Sequence, residues 1–473
     1  MRAVRLGEIA RWTGGRLVGA DVGIADLCTD SRALPIGAVT RRADDDRMDD
    51  ATAVGALFVA LKGERFDGHD HLESASERVV AALVSRDIDA RIPHVIVANT
   101  ERAIADIARG MQATRNTCVF AITGSSGKTS VKALLESILE QAGGAYSTRG
   151  NRNNQIGLPL TVIAAPDDAR FAIYEMGAGQ AGDIAYLTSV VRPDIALVNN
   201  IAPAHMERMG SLLGIADTKA AIYDALRADG VAVINADDAF APYFAERVHG
   251  RTLIRFGLES TSDITARDIR TDADASTFSL ITPWGEADIA LALPGRHNVR
   301  NALAAAAMAL GAGIALDAIA AGLRNARPVD GRLVTHRLSD TAVLVDDTYN
   351  ANPGSLAAAI ETLAAAGGER WLVLGDMREL GDDARAMHAD GGRRAREAGI
   401  TRLYAMGELS AAAVEAFGPQ ARLFESRIAI ATALRGDLAS LIAGTPVRVL
   451  VKGSRGSAMD GVVHALLDLE VKR

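Results

Sequence analysis

The residues of this chain best suited to chemistry lie in one short stretch, Gly124-Ser125-Ser126-Gly127-Lys128-Thr129-Ser130. Four apolar residues, Val119 to Ile122, precede it and read as a buried parallel strand. Val131 to Gln141 follows it with a helical pattern, Leu134, Leu135, Ile138 and Leu139 falling on one side. Strand, glycine turn and helix together form a cradle for phosphate, because loop N–H groups and a helix N-terminus face anionic oxygens. Lys128 is placed to reach the terminal phosphates, and the Thr129 hydroxyl to take a magnesium ion. The pattern G-x-x-x-x-G-K-[ST] is not fully met, since Ile122 stands at the first glycine position. On this stretch alone, a strand and helix with an incidental lysine stays an open alternative.

Other candidates sit at the ends of apolar runs. Phe171 to Tyr174 reads as a strand that ends at Glu175, and Ile195 to Val198 as another that leads through Asn199-Asn200 to His205. Ligands of parallel sheets gather outside the carboxyl ends of the strands, which puts Glu175 and His205 on the side of the glycine turn. Either could equally be structural. Lys219 lies in a helix, Ile215 to Leu226, and by spacing alone reads as a surface lysine. Near the N-terminus, Thr29-Asp30-Ser31-Arg32 and the Lys62-Gly63 turn could hold a nucleotide or diphosphate, or be ordinary turns. Asn298 and Asn301 open an Ala-rich helix, and capping accounts for one of them but not for both. Further on, strands run into Asp346-Asp347-Thr348-Tyr349-Asn350-Ala351-Asn352-Pro353, Gly375-Asp376-Met377-Arg378-Glu379-Leu380-Gly381 and Lys452-Gly453-Ser454-Arg455-Gly456-Ser457.

The chain that must position these residues has 473 of them, enough for roughly three domains of ~150 each. It is 49% hydrophobic and 23% charged, so core burial is not limiting. A net charge of -8 argues against a nucleic-acid or anionic-membrane surface, while leaving room for a local basic pocket. Cys28 and Cys118 read as buried thiols in a reducing compartment, with no disulfide or zinc framework. The N-terminus, charged at Arg2, Arg5, Glu8 and Arg11, lacks the apolar core of a signal peptide. Ala302 to Leu316 is too short and too weakly apolar to span a bilayer and is expected to be one buried helix.

The expected fold class is α/β with three domains. Residues 1–95 form a small mixed domain, interrupted by an Arg- and Asp-rich excursion at about 40–54. Residues 96–327 alternate strand and helix, which implies a mainly parallel sheet covered on both faces, with Leu253 to Trp284 as a small antiparallel excursion. A hinge at Pro328 to Arg332 opens a Rossmann-like third domain, 328–473, whose charged loops all follow strands.

Taken in order, these motifs resemble the Mur ligase family, over nearly the whole chain apart from the 40–54 insertion. The resemblance also rests on Gly150-Asn151 with Asn153-Asn154-Gln155-Ile156-Gly157, Glu175-Met176-Gly177, Ala204-His205 with Met209-Gly210-Ser211, Gly295-Arg296-His297-Asn298 and Gly331-Arg332. The shortened phosphate loop fits, because the family form is short too. Siblings that add diaminopimelate are expected to carry Asp-Asn-Pro-Arg in the third domain; Gly375 to Gly381 instead resembles the members that add D-alanyl-D-alanine.

The resemblance implies a cytoplasmic, monomeric enzyme of peptidoglycan biosynthesis. Its substrates would be ATP, UDP-N-acetylmuramoyl-tripeptide and D-alanyl-D-alanine, with no nucleic-acid partner and no membrane insertion. ADP and phosphate would leave after an acyl phosphate and a tetrahedral intermediate. By the same resemblance Thr129 and Glu175 bind one Mg²⁺, and His205 with a carbamylated Lys219 binds a second. Asn298 and Asn301 face the adenine, and Arg332 and Asp347 the γ-phosphate and ribose. Asp30, Ser31, Arg32 and Lys62 serve the UDP end. Tyr349, Asn350, Asn352, Lys452, Ser454 and Arg455 shape the dipeptide pocket. The competing readings are another amide ligase of the superfamily, whether third-residue-adding or like folylpolyglutamate synthase, and a non-catalytic P-loop switch.

Overall fold

The computed structural model describes residues 2–30, 32, 54–64, 66–89, 92–203, 206–442 and 444–467. Ser31, His205 and most of the 40–54 excursion lie outside the described residues. Two compact units are distinguished, Met1–Ala121 with Gly144–Gly177 and Asp183–Asp194, and Ile122–Gly143 with Ala178–Gly182 and Ile195–Arg473.

In the first unit a six-stranded sheet runs in the order Val4–Arg5, Gly23–Cys28, Val54–Val59, Ala81–Val84, His94–Ile96, Arg16–Val18. The middle four strands are parallel, and the outer two pair antiparallel. Continuous apolar runs such as Val54–Val59 suit strands buried on both faces. Ala56, Phe58, Ala82 and Val84 share one core cluster with Leu72 and Ala75. The parallel strands deliver Asp30 and Arg32, Lys62, and Ser85 with Arg86 just beyond their carboxyl ends. A short parallel pair, Tyr146–Ser147 beside Phe171–Glu175, belongs to the same unit.

The strand Cys118–Thr123 leads from the first unit into the second, where the helix Lys128–Glu140 begins. Strands Ile195–Val198, Val231–Asn235 and Thr252–Phe256 pair in parallel there. The antiparallel excursion is a three-stranded sheet of Thr265–Thr271, Ser276–Thr282 and Gly285–Leu291. It starts later than the sequence suggested, because 252–256 joins the parallel strands instead. The Ala-rich segment is two helices, not one. Arg296–Gly311 ends before Gly313, which sits at φ +74°, and Leu316–Asn325 starts afresh. A left-handed residue cannot continue a right-handed helix, and glycine takes that conformation without a steric penalty. Among the described residues no helix is long and apolar enough to cross a membrane.

The second unit closes with a doubly wound sheet ordered Val334–Arg337, Ala342–Asp347, Val447–Lys452, Glu369–Gly375, Arg402–Met406, Ala421–Phe424. Only the first of these strands is antiparallel to its neighbour. Alternate residues feed two cores: Val345, Leu372, Leu374 and Leu450 face one, while Leu344, Val373, Val449 and Val451 face the other. The last long strand inserts between two earlier ones, so the winding reverses where Asp347, Lys452 and Gly375 end. That reversal leaves a crevice of the kind in which such sheets bind ligands.

Candidate active site

The glycine turn has the conformation its residue types predict. Gly124 lies at φ +150° and Gly127 at +79°. A Cβ at Gly127 would stand 2.5 Å from Asn199 Nδ2 and 2.6 Å from Asn301 Oδ1, so a side chain is excluded there. Lys128 Nζ curls back to donate to the Gly124 carbonyl at 2.8 Å. The Ser126 N–H donates to Asn200 Oδ1 at 2.8 Å, and Asn199 Nδ2 donates to the Ser126 carbonyl at 2.9 Å and to Asn301 Oδ1 at 3.2 Å.

Asn298 and Asn301 continue this ladder. Asn301 Nδ2 reaches Asn298 Oδ1 at 3.3 Å, and Asn298 Nδ2 donates to the Pro294 carbonyl at 2.8 Å. Both residues are buried, and their amides brace the phosphate loop from below. This support has no sequence signal, because a strand-end Asn199-Asn200 pair and a helix a hundred residues later carry no local mark of contact.

Residues of the doubly wound sheet reach the same loop. Arg332 donates from a terminal guanidinium nitrogen to Thr129 Oγ1 at 2.9 Å, and its guanidinium lies 4.3 Å from the Tyr349 ring centroid. Arg332 Nε is buried without a hydrogen-bond partner. An orphaned cationic donor beside a phosphate loop is the vacancy that an anionic oxygen satisfies. Asn352 Nδ2 donates to Ser126 Oγ at 2.9 Å, while its Oδ1 caps the helix Pro353–Ala364 by accepting from the Ser355 N–H at 2.8 Å. Asn352→Ala is therefore expected to cost about 1 kcal/mol of stability through the cap and also to weaken nucleotide binding. Asn352→Ser keeps a cap but not the amide, so it should weaken binding alone. Thermal unfolding and titration with a fluorescent nucleotide analogue separate the two effects.

Lys452 is paired within the doubly wound sheet. Its Nζ sits 2.5 Å from Asp347 Oδ2 and donates to the Asn350 carbonyl at 3.1 Å, with side-chain exposures of 3% for Lys452 and 14% for Asp347. Burial pushes the Asp347 carboxyl up, against the opposing pull of Lys452. Ser454 Oγ accepts from the Arg378 N–H at 2.9 Å and reaches the Ala351 carbonyl at 3.2 Å. The Arg455 guanidinium lies 5.6 Å from the Tyr349 ring.

His297, which the sequence offered only as part of a motif, belongs to this charged group. Burial pushes its imidazole down to about 4, and the positive charges of Lys452 and Arg300 add to the effect. The unfolded chain binds a proton near pH 6.5. Between that pH and about 4 it holds more protons than the folded chain, so stability is lost as pH falls through this window. The residue keeps partial exposure, and the expected loss is discounted accordingly to about 2 kcal/mol. Urea titrations at neutral pH and near pH 4.5 measure it, and His297→Gln should flatten the dependence.

Lys219 is 2% exposed, on the helix Leu212–Asp224, so the surface reading of that lysine fails. In the first unit Glu175 is 3% exposed. Its Oε1 accepts from Asn153 Nδ2 at 2.9 Å, and its N–H donates to Thr148 Oγ1 at 3.1 Å. Also in that unit, Arg32 holds Asp30 bidentately at 2.8 Å, and this pairing draws the Asp30 carboxyl down to about 2. Lys62 pairs through its backbone with Asp67. Among the described residues no group of three or more His, Cys, Asp or Glu gathers as a metal cluster. The Thr129 hydroxyl in the second unit and the Glu175 carboxylate in the first are each an oxygen donor of the type hard cations such as Mg²⁺ take.

Comparison with known proteins agrees with this geometry. Residues 122–309 match the Mur ligase middle domain, and residues 331–455 match the Mur ligase, glutamate ligase domain. The chain is 42% identical over 469 residues to the UDP-N-acetylmuramoyl-tripeptide–D-alanyl-D-alanine ligase of Escherichia coli K12, covering 98% of this chain and 99% of that one. It superposes on a crystal structure of MurF from Acinetobacter baumannii with TM-score 0.91 and 31% identity, covering 99% of both chains. The MurF ligase of Thermotoga maritima, crystallised in complex with ADP, is similar at TM-score 0.82 and 25% identity, over 95% of this chain and 98% of that one.

Proposed function

The chain belongs to the Mur ligase family, and on that premise we propose that it is an ADP-forming ligase that joins D-alanyl-D-alanine to UDP-N-acetylmuramoyl-tripeptide at the expense of ATP. The observation that carries this reading is the meeting of two loops far apart in sequence. Asn352, from the Asp346 to Pro353 loop, and Arg332 both hydrogen-bond the phosphate loop, at Ser126 and Thr129. A P-loop switch has no need of that second loop.

A carboxylate does not acylate an amine, because its oxygen is a poor leaving group. Phosphorylation of the tripeptide carboxylate gives an acyl phosphate, and the dipeptide amine adds to it through a tetrahedral intermediate that expels phosphate. The first step brings anions together, so the site works by fixed positive charge and dipoles. Lys128 and the loop N–H groups receive the phosphates, and Arg332 extends its guanidinium to the terminal one. Thr129 and Glu175 would hold one Mg²⁺, and Lys219, carbamylated, a second with His205; bound magnesium neutralises charge on phosphate and carboxylate oxygens. A carbamate oxygen, not an ammonium, is the ligand such an ion accepts. Asn298 and Asn301 keep the adenine side in register through the loop, and Asp347 lies toward the ribose. Tyr349, Asn350, Asn352, Lys452, Ser454 and Arg455 line the acceptor pocket, and Asp30, Ser31, Arg32 and Lys62 take the UDP end.

We read the domains as 1–95 for the UDP substrate, 96–327 for ATP, and 328–473 for ATP and dipeptide, in a monomer working in the cytoplasm. The test is incubation of purified protein with the three substrates and Mg²⁺, followed by mass spectrometry and a phosphate assay. Pentapeptide should form, and phosphate release should need both the UDP-tripeptide and D-alanyl-D-alanine. Release indifferent to both, or product only with a single amino acid or glutamate as acceptor, overturns the proposal.

A further inference from the structure

The loop Gly375 to Gly381 is pinned by a histidine to which no role has yet been given. His388, on the helix Ala384–Glu397, is 0% exposed. Its Nδ1 lies 2.7 Å from the Ala384 carbonyl, which can only accept, so Nδ1 carries the proton. Its Nε2 then presents a lone pair and accepts the Met377 N–H at 2.9 Å. The ring is thus a neutral tautomer with both nitrogens in use. An imidazolium would set an N–H against the Met377 N–H, and burial disfavours that form.

Met377 is itself fully buried, and the next N–H, that of Arg378, goes to Ser454 Oγ. Ser454 N–H and Ser457 Oγ both donate to the Asp376 carbonyl, at 3.1 and 2.9 Å. Asp376 Oδ1 accepts from the Ser410 N–H at 2.8 Å and from its hydroxyl at 2.7 Å. The loop leaves through Glu379 at φ +63°, a conformation that a non-glycine residue keeps only when its surroundings hold it. His388 therefore sets the backbone position from which Arg378 fixes the hydroxyl of Ser454.

We propose that His388 is a positioning residue for acceptor binding: by accepting the Met377 N–H it holds the 375–381 loop, and through it Ser454, in the geometry that receives the dipeptide. This rests on the acceptor pocket assigned above. Two variants separate positioning from mere packing. Glutamine can place Oε1 where Nε2 lies, whereas the shorter asparagine cannot reach Met377. His388→Asn is expected to raise KM for D-alanyl-D-alanine about tenfold, with KM for ATP within about twofold, and His388→Gln to stay within about threefold of the parent on both. Hydrogen exchange of the 375–381 amides, followed by mass spectrometry, should quicken by about tenfold or more in the Asn variant and stay near the parent in the Gln variant. The proposal is overturned if the Asn variant keeps the parent's acceptor KM, if both KM values rise together, or if exchange of the loop is the same in all three proteins. Hydrogen exchange needs no turnover, so a parent enzyme that makes no pentapeptide sinks the assigned reaction without deciding the role of His388.

Discussion

Lys128→Ala is expected to lower the rate of pentapeptide formation by about a thousandfold, while moving the melting temperature little. The two parts of this expectation have separate causes. The ammonium is the phosphate loop's own positive side chain, and it already lies over the loop with Nζ 2.8 Å from the Gly124 carbonyl. Removing it takes away the loop's own cation, so charge that gathers on the transferring phosphate keeps fewer partners. The loop itself does not depend on that contact. Asn199 and Asn200 hold it, with Asn301 bonded to Asn199 behind them, and Asn352 and Arg332 hold it from the loops beside the doubly wound sheet. Stopped assays with quantified pentapeptide, beside a thermal melt, read both. A variant with the parent's rate would remove Lys128 from the mechanism.

Lys452→Met should be the most destabilising single substitution among the site residues, by about 3–5 kcal/mol. Its ammonium is enclosed against Asp347, and without it the carboxylate is left in a buried place with only the pull of Arg332 to offset its charge. The double variant Lys452→Met with Asp347→Asn should recover much of the loss, since the charge that was stranded is gone. The single variant should also gain stability as pH falls. Burial already pushes the Asp347 carboxyl up, and without Lys452 the folded state binds a proton that the unfolded state does not, so acid favours folding. Urea unfolding of parent, single and double variants at two pH values measures each term. Equal stability of single and double variants would mean that Lys452 and Asp347 do not depend on each other.

Much of the site could be read before any coordinates. The phosphate loop announces itself through two glycines, a lysine and a threonine between an apolar run and an amphipathic segment. Asp347, Lys452 and the Gly375 to Gly381 loop stand where strands stop. The misreadings were local as well. The Ala-rich segment looked like one helix because alanine carries no boundary signal, and Gly313 was the break. Lys219 looked like a surface residue on its type alone, although Ile215, Ile222 and Leu226 at helical spacing place it on the buried face of its helix. Beyond these, the pairing of the Lys452 ammonium with Asp347 carries no mark in the sequence.

What the chain determines by itself is what neighbouring residues decide: the turn at Gly124 and Gly127, the strand that feeds it, the cap at Asn352, and the apolar runs that must be buried on both faces. Local sterics and periodic burial act within a few residues, so they are legible in a string of letters. Only the tertiary structure decides which distant partner each polar group finds. Arg332 meets Thr129 across 203 residues, Asn352 meets Ser126 across 226, Lys452 meets Asp347 across 105, and Asn199 meets Asn301 across 102. Even the 11-residue span from His388 to Met377 bridges a strand-end loop and a helix. A hydrogen bond depends on distance and angle in space, and residues brought together by sheet topology carry no mark of it in their spacing along the chain.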